Sequence, residues 1–211
     1  LFADPEAPMN ISLYNQLSNY GFRRSGNYIY KPQCALCHAC VSVRIPVAAF
    51  NQSRQQRRVW KNNQDITVRK VNAHYVQAHY ELYAEYIKQR HADGDMHPPS
   101  IAQYVSFLFS DWSDTWLYEF YLGEKLLAIS VCDALKNGLS AVYTFYDCQS
   151  ESRSLGTFAV LWQIAEAQRM KLDYVYLGYW VKNSKKMAYK TNFRPLEALI
   201  DQIWRALPND E

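Results

Sequence analysis

Two periodicities of hydrophobic and polar residues divide the chain into strands and helices. Along 41–47, Val41, Val43 and Ile45 fall on one face with polar residues between them, and this alternation predicts a half-buried strand. Along 72–91, apolar residues recur every three to four positions, which predicts an amphipathic helix. Extended along the chain, these patterns predict helices at 10–20, 53–62, 72–91, 100–109, 154–169 and 184–191, and strands at 26–31, 41–47, 66–71, 115–122, 125–134, 139–146, 173–179 and 196–204.

The order of these elements from residue 66 onward indicates a fold class. A strand, two helices, three strands joined by glycine-containing hairpin turns, a helix, a strand, a short helix and a last strand follow one another. This order resembles the GCN5-related acyltransferase (GNAT) fold, an α+β architecture in which helices flank a mixed central sheet. We therefore expect a GNAT-like catalytic domain over 66–211 and a small cysteine-containing N-terminal subdomain over 1–65.

The composition indicates an ordered globular protein. Hydrophobic residues make up 49% of the chain and charged residues 20%, enough apolar surface to bury a core. No run approaches the roughly 18–20 apolar residues of a membrane span, and no secretory signal is visible. Five cysteines, three of them clustered, favour a reducing compartment. We therefore expect a cytoplasmic protein with no membrane partner.

The net charge of +3 is mild, but the cations are unevenly distributed. Residues 51–70 contain six Lys or Arg against the single acid Asp65, and residues 182–195 contain five and no acid. Such segregation predicts local positive potential and a nucleic-acid partner. The alternative is that both basic segments are simply solvent-exposed surfaces of the protein with no bound partner.

The spacing of Cys34, Cys37 and Cys40 predicts a metal site. Three thiolates so close together can hold one soft ion or one corner of an iron–sulfur cluster. We expect zinc or an iron–sulfur cluster at this loop, the alternative being three reduced thiols packed in a tight turn. The fourth ligand is left open among His38, Cys132 and Cys148.

A glycine-containing turn precedes the fifth predicted helix. Glycine lets the backbone approach a phosphate, and a helix start supplies free N–H groups and partial positive charge. In GNAT enzymes a Q/R-x-x-G-x-G/A loop at this position holds the pyrophosphate of acyl-CoA, but here Phe158 replaces the last small residue. A different phosphate-bearing acyl donor is therefore expected, with simple helix capping as the alternative. The residues assigned to that phosphate are Arg153, Ser154, Gly156 and Thr157.

Residues 182–194 interleave cations with aromatic rings, among them Lys186, Tyr189, Lys190 and Phe193. Cations hold phosphates while rings stack on unpaired bases, so this composition fits a single-stranded nucleic-acid end. We expect Lys186, Tyr189 and Lys190 to contact RNA. An exposed helix that packs its rings inward is the alternative.

Several short motifs are distributed over nearly the whole chain. They are Gly21-Phe-Arg-Arg-Ser-Gly26, the cysteine triplet, Val43-Arg-Ile-Pro46, Ser53-Arg-x-x-x-Arg58, Arg90-His-x-Asp-Gly-Asp-Met96, Ser140-Ala-Val-Tyr-Thr-Phe-Tyr146, Arg153-Ser-Leu-Gly-Thr157, Tyr176-Leu-Gly-Tyr-Trp180 and Lys186-Met-Ala-Tyr-Lys190. Together they resemble the arginyl/leucyl-tRNA–protein transferases, and the compact length resembles the bacterial leucyl-transferring branch. The resemblance implies a GNAT-like fold, aminoacyl-tRNA as donor, and proteins beginning with Asp or Glu as acceptors. It also implies that the added leucine marks those proteins for degradation, and that neither DNA nor a membrane is a partner.

Such a transfer requires no cofactor. The α-amine of the acceptor has a pKa of about 8 and is partly neutral at pH 7. Holding this amine against the ester contributes up to ~7–11 kcal/mol. The predicted catalytic groups are Tyr143 or Tyr146 as donor to the oxyanion or the leaving ribose oxygen, and Asp147 or Glu119 as acceptor of the amine proton.

An acidic acceptor also needs a cation, and guanidinium pairs best with carboxylate. The candidates are Arg44, Arg54 and Arg57, each of which could instead form a surface ion pair.

Other functions fit parts of the same pattern. Arginine could be the transferred residue, and an acyl-CoA N-acetyltransferase would share the element order. An RNA-binding module stabilised by a metal ion would bind tRNA and would not transfer an amino acid. Leucyl or phenylalanyl transfer onto basic N-termini would need an acidic acceptor pocket, and no region of the sequence suggests one.

Overall fold

Helices and strands follow one another in nearly the predicted order. A computed structural model describes residues 1–4 and 7–208. The helices are α1 (Ile11–Asn19), α2 (Arg54–Asn62), α3 (Gln77–Arg90), α4 (Ile101–Leu108) and α5 (Leu155–Arg169). The strands are β1 (Arg23–Ser25), β2 (Tyr28–Tyr30), β3 (Val41–Pro46), β4 (Thr67–Asn72), β5 (Thr115–Leu122), β6 (Lys125–Leu135), β7 (Gly138–Tyr146), β8 (Tyr174–Trp180), β9 (Glu197–Ile200) and β10 (Ile203–Ala206).

One mixed sheet organises these elements. Its strands lie in the order β10-β9-β3-β8-β7-β6-β5-β4, while β1 and β2 form a separate hairpin. Neighbouring strands are antiparallel except β7 and β8, which are parallel. Strand β3 comes from the first 65 residues yet lies between β9 and β8. The N-terminal segment therefore completes the sheet, and the boundary at residue 65 stays a prediction.

Helices cover both faces of the sheet. On one face, α5 packs Phe158, Leu161 and Ile164 into a core with the inward side chains of β3, β5 and β6, and α2 packs beside it. Because α5 is apolar around most of its circumference, it is stable only when covered on several sides. On the other face, Tyr83 of α3 and Tyr104 of α4 pack on β5, β6 and β7. The predicted α+β class, with a mixed sheet flanked by helices, is confirmed.

A buried ion pair fixes the N-terminal hairpin to the sheet. Arg24 of β1 donates through Nε and Nη2 to the two carboxylate oxygens of Asp133 on β6, both at 2.7 Å. Tyr14 and Thr115 donate to the same carboxylate at 2.8 and 2.7 Å. Both charged side chains have zero solvent exposure, so their charges compensate each other inside the protein.

Three predicted elements differ from the observed ones. The helix predicted from residue 72 begins at Gln77, because Asn72 still pairs with Trp116 in the sheet. The short helix predicted at 184–191 is a 3-10 segment at Ala188–Asn192. The strand predicted at 196–204 is a hairpin, with left-handed backbone at its turn. Within the described ranges, no helix combines the length and apolar character needed to cross a bilayer.

Candidate active site

Strands β7 and β8 separate part-way along their length. They pair only between residues 138–140 and 174–176, although β7 continues to Tyr146 and β8 to Trp180. Each strand stays paired on its other side, β7 with β6 and β8 with β3. The sheet therefore opens at its centre, and backbone groups facing this gap must find other partners.

The guanidinium of Arg23 occupies the gap. Its Nη2 donates to the carbonyl oxygen of Ala141 on β7 at 2.8 Å. On the β8 side, a Cβ at Gly178 would lie 3.4 Å from its Nε, so the glycine leaves room for the arginine. Arg23 is only 9% exposed. No carboxylate in residues 1–4 and 7–208 forms an ion pair with it.

A second buried cation reaches the same stretch of β8. Lys190, in the 3-10 segment, is 8% exposed and donates through Nζ to the carbonyl oxygen of Tyr179 at 2.5 Å. Burial, assisted by the positive charge of Arg23, lowers the pKa of Lys190 to about 7. Both cations thus meet β8 at adjacent residues, Gly178 and Tyr179.

Tyrosine side chains line the region beside the gap. The ring of Tyr86 lies 4.9 Å from that of Tyr146 and 6.3 Å from that of Tyr143. Burial raises the pKa values of Tyr86, Tyr143 and Tyr189, so these three phenols stay protonated at neutral pH. The Tyr143 hydroxyl points at Sδ of Met96 at 3.7 Å. The hydroxyl of Tyr146 has no hydrogen-bond partner within the described part of the chain.

The start of α5 opens onto this aromatic region. Ser154 has left-handed backbone (φ 52°), and the first intrahelical bond runs from Phe158 N–H to its carbonyl at 3.0 Å. The N–H groups of the first three helical residues precede that bond and are free of intrahelical partners. A Cβ at Gly156 would lie 3.1 Å from the ring of Tyr146. The glycine thus lets the tyrosine lie against a helix start that is accessible to solvent.

Comparison with known proteins identifies the family of this chain. Residues 1–58 match the family described as "Arginine-tRNA-protein transferase, N terminus", and residues 78–200 match its C-terminal counterpart. This chain belongs to the arginine-tRNA-protein transferase family.

Relatives within the transferase family are close. The aspartate/glutamate leucyltransferase of Pseudomonas fluorescens (strain Pf0-1) is 56% identical over 98% of this chain and 88% of its own length. The enzyme of the same name from Pseudomonas entomophila (strain L48) is 55% identical over the same shares. The family resemblance noted from the sequence motifs is therefore confirmed.

A solved structure shares the fold of this transferase. L-PGS from Bacillus licheniformis superposes with a TM-score of 0.53 at 8% identity, over 82% of this chain. This chain spans 50% of that longer one. At such low identity the likeness concerns the fold alone.

In this transferase, part of the predicted site comes together. Tyr143, Tyr146 and Gly156 meet at the end of β7 and the start of α5, and Tyr189 and Lys190 adjoin them. Lys190 is buried rather than displayed on the surface, unlike the expectation for an exposed basic segment. The functional assignments of these residues stay predictions.

Two predicted phosphate contacts are engaged in ion pairs in this transferase. Arg153 donates to both carboxylate oxygens of Asp65, each at 2.9 Å. Lys186 donates to Asp93 at 2.6 Å. Both pairs are at least partly exposed to solvent, where such a pair is worth little and a phosphate could compete for the cation.

The two predicted proton acceptors lie in different places. Glu119 is on β5, two strands from β7, and its carboxylate is 2.7 Å from Nε2 of His79. The structure therefore does not bring it to the tyrosines. Asp147 follows β7 directly. Burial alone would raise the pKa of Asp147, but hydrogen bonds led by that of Lys125 lower it, so this carboxylate is a weak base.

The three predicted acceptor-binding arginines lie outside the gap. Arg44 is buried on β3, where it donates to Glu197 at 2.7 Å and lies over the ring of Tyr174 at 3.6 Å. These contacts already engage its guanidinium. Arg54 and Arg57 are on the exposed side of α2, away from β7 and β8.

The cysteine loop does not present a metal-ligand set in this transferase. Cys34, Cys37 and Cys40 are free and exposed, and their loop borders a small surface cavity of about 160 Å³ together with His38. Among the residues that the structure describes, no three His, Cys, Asp or Glu are grouped to hold a metal ion. The metal site stays a prediction, and no chemical step proposed below uses it.

Sequence reasoning did not single out Arg23 and Gly178, which the fold brings together at the gap between β7 and β8. Both belong to family motifs, but neither residue suggested chemistry by itself. A usable signal was the pair Arg23-Arg24, two adjacent cations within a family motif, which the structure places on the largely buried strand β1. Two neighbouring buried cations require two different sources of negative charge.

Proposed function

We propose that this transferase moves leucine from aminoacyl-tRNA onto the N-terminal α-amine of proteins that begin with Asp or Glu. The name of its close relatives, aspartate/glutamate leucyltransferase, supports the transferred residue and the acceptor. The observation that carries the proposal is the open sheet centre. There, buried cations, protonated phenols and a free helix start surround one gap. The product carries a new N-terminal leucine, which would act as a degradation signal.

The reaction needs positioning more than a strong base. The neutral α-amine attacks the carbonyl carbon of the ester that links leucine to the tRNA 3′ ribose. A C–N bond forms, the bond to the ribose oxygen breaks, and the amine proton ends on that oxygen. The products are leucyl-protein and uncharged tRNA. A free amine with a pKa of about 8 is reactive enough once it is held in place.

Tyr146 is the best-placed donor for the developing oxyanion. Its hydroxyl has no hydrogen-bond partner among the described residues, and its ring lies against Gly156 at the start of α5. Tyr143 already points its hydroxyl at Met96. Donors that are preorganised for the transition state provide much of the rate enhancement in acyl transfer.

The terminal phosphates of the tRNA would lie at the start of α5. Free N–H groups and the helix dipole favour an anion there, and Ser154 is exposed. The gap between two parallel strands would correspond to the acyl-donor cleft of a GNAT-like core. Charged tRNA as donor implies that the reaction takes place in the cytoplasm.

The test uses the purified chain with Leu-tRNA or Arg-tRNA and peptides that differ only in residue one: Asp, Glu, Lys or Ala. We expect labelled leucine on the Asp and Glu peptides only, and no transfer from Arg-tRNA. Transfer to the Lys peptide, or binding of charged tRNA with no transfer to any peptide, would contradict the proposal. Acetyl-CoA serves as control donor and should give no product.

A further inference from the structure

The buried positive charge in the gap has no counter-charge from residues 1–4 or 7–208. Arg23 and Lys190 use one backbone carbonyl each, leaving most of their N–H donors without a partner among the described residues. The buried carboxylate of Asp133 is already paired with Arg24. Burying an uncompensated charge is costly, and the lowered pKa of Lys190 reflects that cost. An anion that enters from outside would supply the missing counter-charge and favour the protonated form of Lys190.

The shape of the site selects the kind of anion. Arg23 and Lys190 are 9% and 8% exposed, Arg23 lies in the gap between β7 and β8, and Lys190 reaches the carbonyl oxygen of Tyr179 on β8. A backbone phosphate continues into nucleotides on both sides, so it would need an open groove. A side-chain carboxylate is a terminal group on a short stem and can enter a narrow gap. Guanidinium and ammonium groups together match its two oxygens.

The position also suits the reaction. In an N-terminal Asp or Glu, only a few bonds separate the carboxylate from the α-amine. An acid held by Arg23 and Lys190 would therefore keep its amine in the same gap. Tyr189 lies within electrostatic range of both groups, because the charge of Arg23 and the phenol of Tyr146 both affect its pKa. The amine would thus be close to Tyr146.

We propose that Arg23 and Lys190 form the pocket that binds the side-chain carboxylate of the acceptor's first residue and select Asp and Glu over neutral residues. The inference rests on the proposed function and names the residues that give it its specificity. It assigns this role to two residues in the open sheet centre rather than to Arg44, Arg54 or Arg57.

The test compares two peptides that begin with Asp or Asn and are otherwise identical. Arg23→Met should lower the Asp-to-Asn ratio of kcat/KM by about 10²-fold, through a higher KM for the Asp peptide. Its rate with the Asn peptide and its affinity for Leu-tRNA should change by less than about threefold. Arg23→Lys should keep part of the preference, because it retains the charge and loses the planar fork. Lys190→Met should lower the ratio in the same direction.

Arg44→Met is the matched control, since it removes another buried arginine, on β3 and outside the gap. Any loss it causes should be equal for the two peptides. If Arg23→Met loses activity equally on both peptides, or loses tRNA affinity by the same factor, the carboxylate assignment is wrong. If Arg23 bound an RNA phosphate instead, Arg23→Met would lower the affinity for Leu-tRNA by the same factor as the activity. Absence of leucyl transfer by the wild-type chain would instead overturn the proposed function.

A measurement on the wild-type chain covers the case in which Arg23 variants do not fold. The KM for the Asp peptide should rise with pH above about 7, as Lys190 loses its proton, while the KM for the Asn peptide should not. The charged group that acts on Lys190 is Arg23, which stays charged, and the nearby phenol is Tyr189, whose pKa is raised by burial. The Tyr179 hydroxyl donates elsewhere, to the carbonyl oxygens of Gly21 and Tyr30. The carboxylate of the Asp peptide makes its α-amine more basic than that of the Asn peptide, so each KM is calculated on the concentration of neutral amine. Parallel KM profiles would therefore contradict the pocket.

Discussion

Neighbouring residues of one type do different work in this transferase. Arg23 and Arg24 are adjacent on β1, yet Arg24 pairs with Asp133 and Arg23 enters the gap between β7 and β8. Side chains alternate along a strand, so consecutive residues point to opposite sides. One arginine therefore stabilises the fold and the other remains available to a ligand.

The first prediction at the residue scale concerns Tyr146. Tyr146→Phe removes the proposed oxyanion donor and keeps the ring that packs against Gly156. We expect kcat to fall about 10²-fold with little change in KM for peptide or tRNA. Steady-state kinetics with the Asp peptide measures this. Tyr143→Phe is the comparison, and its effect should be smaller because that hydroxyl faces Met96. A larger loss of kcat for Tyr143→Phe than for Tyr146→Phe would assign the oxyanion donor to Tyr143 instead.

The second prediction concerns the stability cost of Lys190. Unfolded lysine titrates near pH 10.4, whereas burial lowers the pKa of folded Lys190 to about 7. Between these pH values the unfolded chain binds more protons, so the penalty from Lys190 is full below about pH 7 and fades as pH rises. Lys190→Met should therefore raise Tm more at pH 7 than at pH 9.5. Thermal unfolding at both pH values checks this, and a pH-independent difference would contradict it.

At the scale of elements, contacts distant in sequence hold short strands in place. The β1–β2 hairpin has only three residues in each strand and would be marginal alone. Its Arg24 joins β6 through Asp133 in a fully buried pair. Gly26 at its turn has a positive φ of 57°, and its N–H donates to Phe107 near the end of α4 at 2.7 Å. The position of Arg23 in the gap thus depends on these anchors.

The prediction at this scale concerns Asp133. Asp133→Asn leaves the buried guanidinium of Arg24 without its counter-charge, and the free energy of unfolding should fall by about 3–5 kcal/mol. Urea denaturation measures the change. Asp65→Asn is the matched control, because its pair with Arg153 is exposed and should matter little. Replacing Arg24 and Asp133 together by leucine should cost less than the sum of the single changes. A small loss for Asp133→Asn would mean that hydrogen bonds alone hold the hairpin.

At the scale of the whole molecule, positively charged side chains of α2 lie along the surface that ends at the start of α5. The charged side chains on the exposed side of α2 are all cations, and the residues at its C-terminal end contact Arg153. Asn63 donates to the carbonyl of Arg153 at 2.9 Å, so α2 ends next to the turn that opens α5. A tRNA acceptor stem lying on α2 would thus deliver its 3′ end to the free helix start. The exposed cations of α2 are Arg54, Arg57, Arg58 and Lys61.

The prediction at this scale is a charge reversal on α2. Arg54→Glu with Arg57→Glu should weaken tRNA binding and lower the slope of log affinity against log salt by about one per lost phosphate contact. The Asp-to-Asn preference should be unchanged. Binding titrations at several salt concentrations measure the slope. The control is Lys136→Glu with Arg205→Glu, equally exposed but on the β6–β7 turn and on β10. Equal losses in both double variants would indicate only a general charge effect.

The sequence alone determined the local elements and the family. The period-two pattern at 41–47 became β3, and the helices predicted at 53–62 and 100–109 became α2 and α4, capped by Ser53 and Ser100. Such signals depend on residues a few positions apart, so a sequence contains them in full. The predicted turn at Arg153–Thr157 likewise precedes α5.

The tertiary structure decided which charged side chains form ion pairs within the protein and which do not. Arg44 looked available in sequence, but Glu197 lies opposite it in the folded sheet. Arg23 looked unremarkable, but the early end of pairing between β7 and β8 gives it a place at the sheet centre. Ion pairs form between residues more than a hundred positions apart, as in Arg24 and Asp133 with a separation of 109. Their partners follow from strand order and register, which no local pattern specifies.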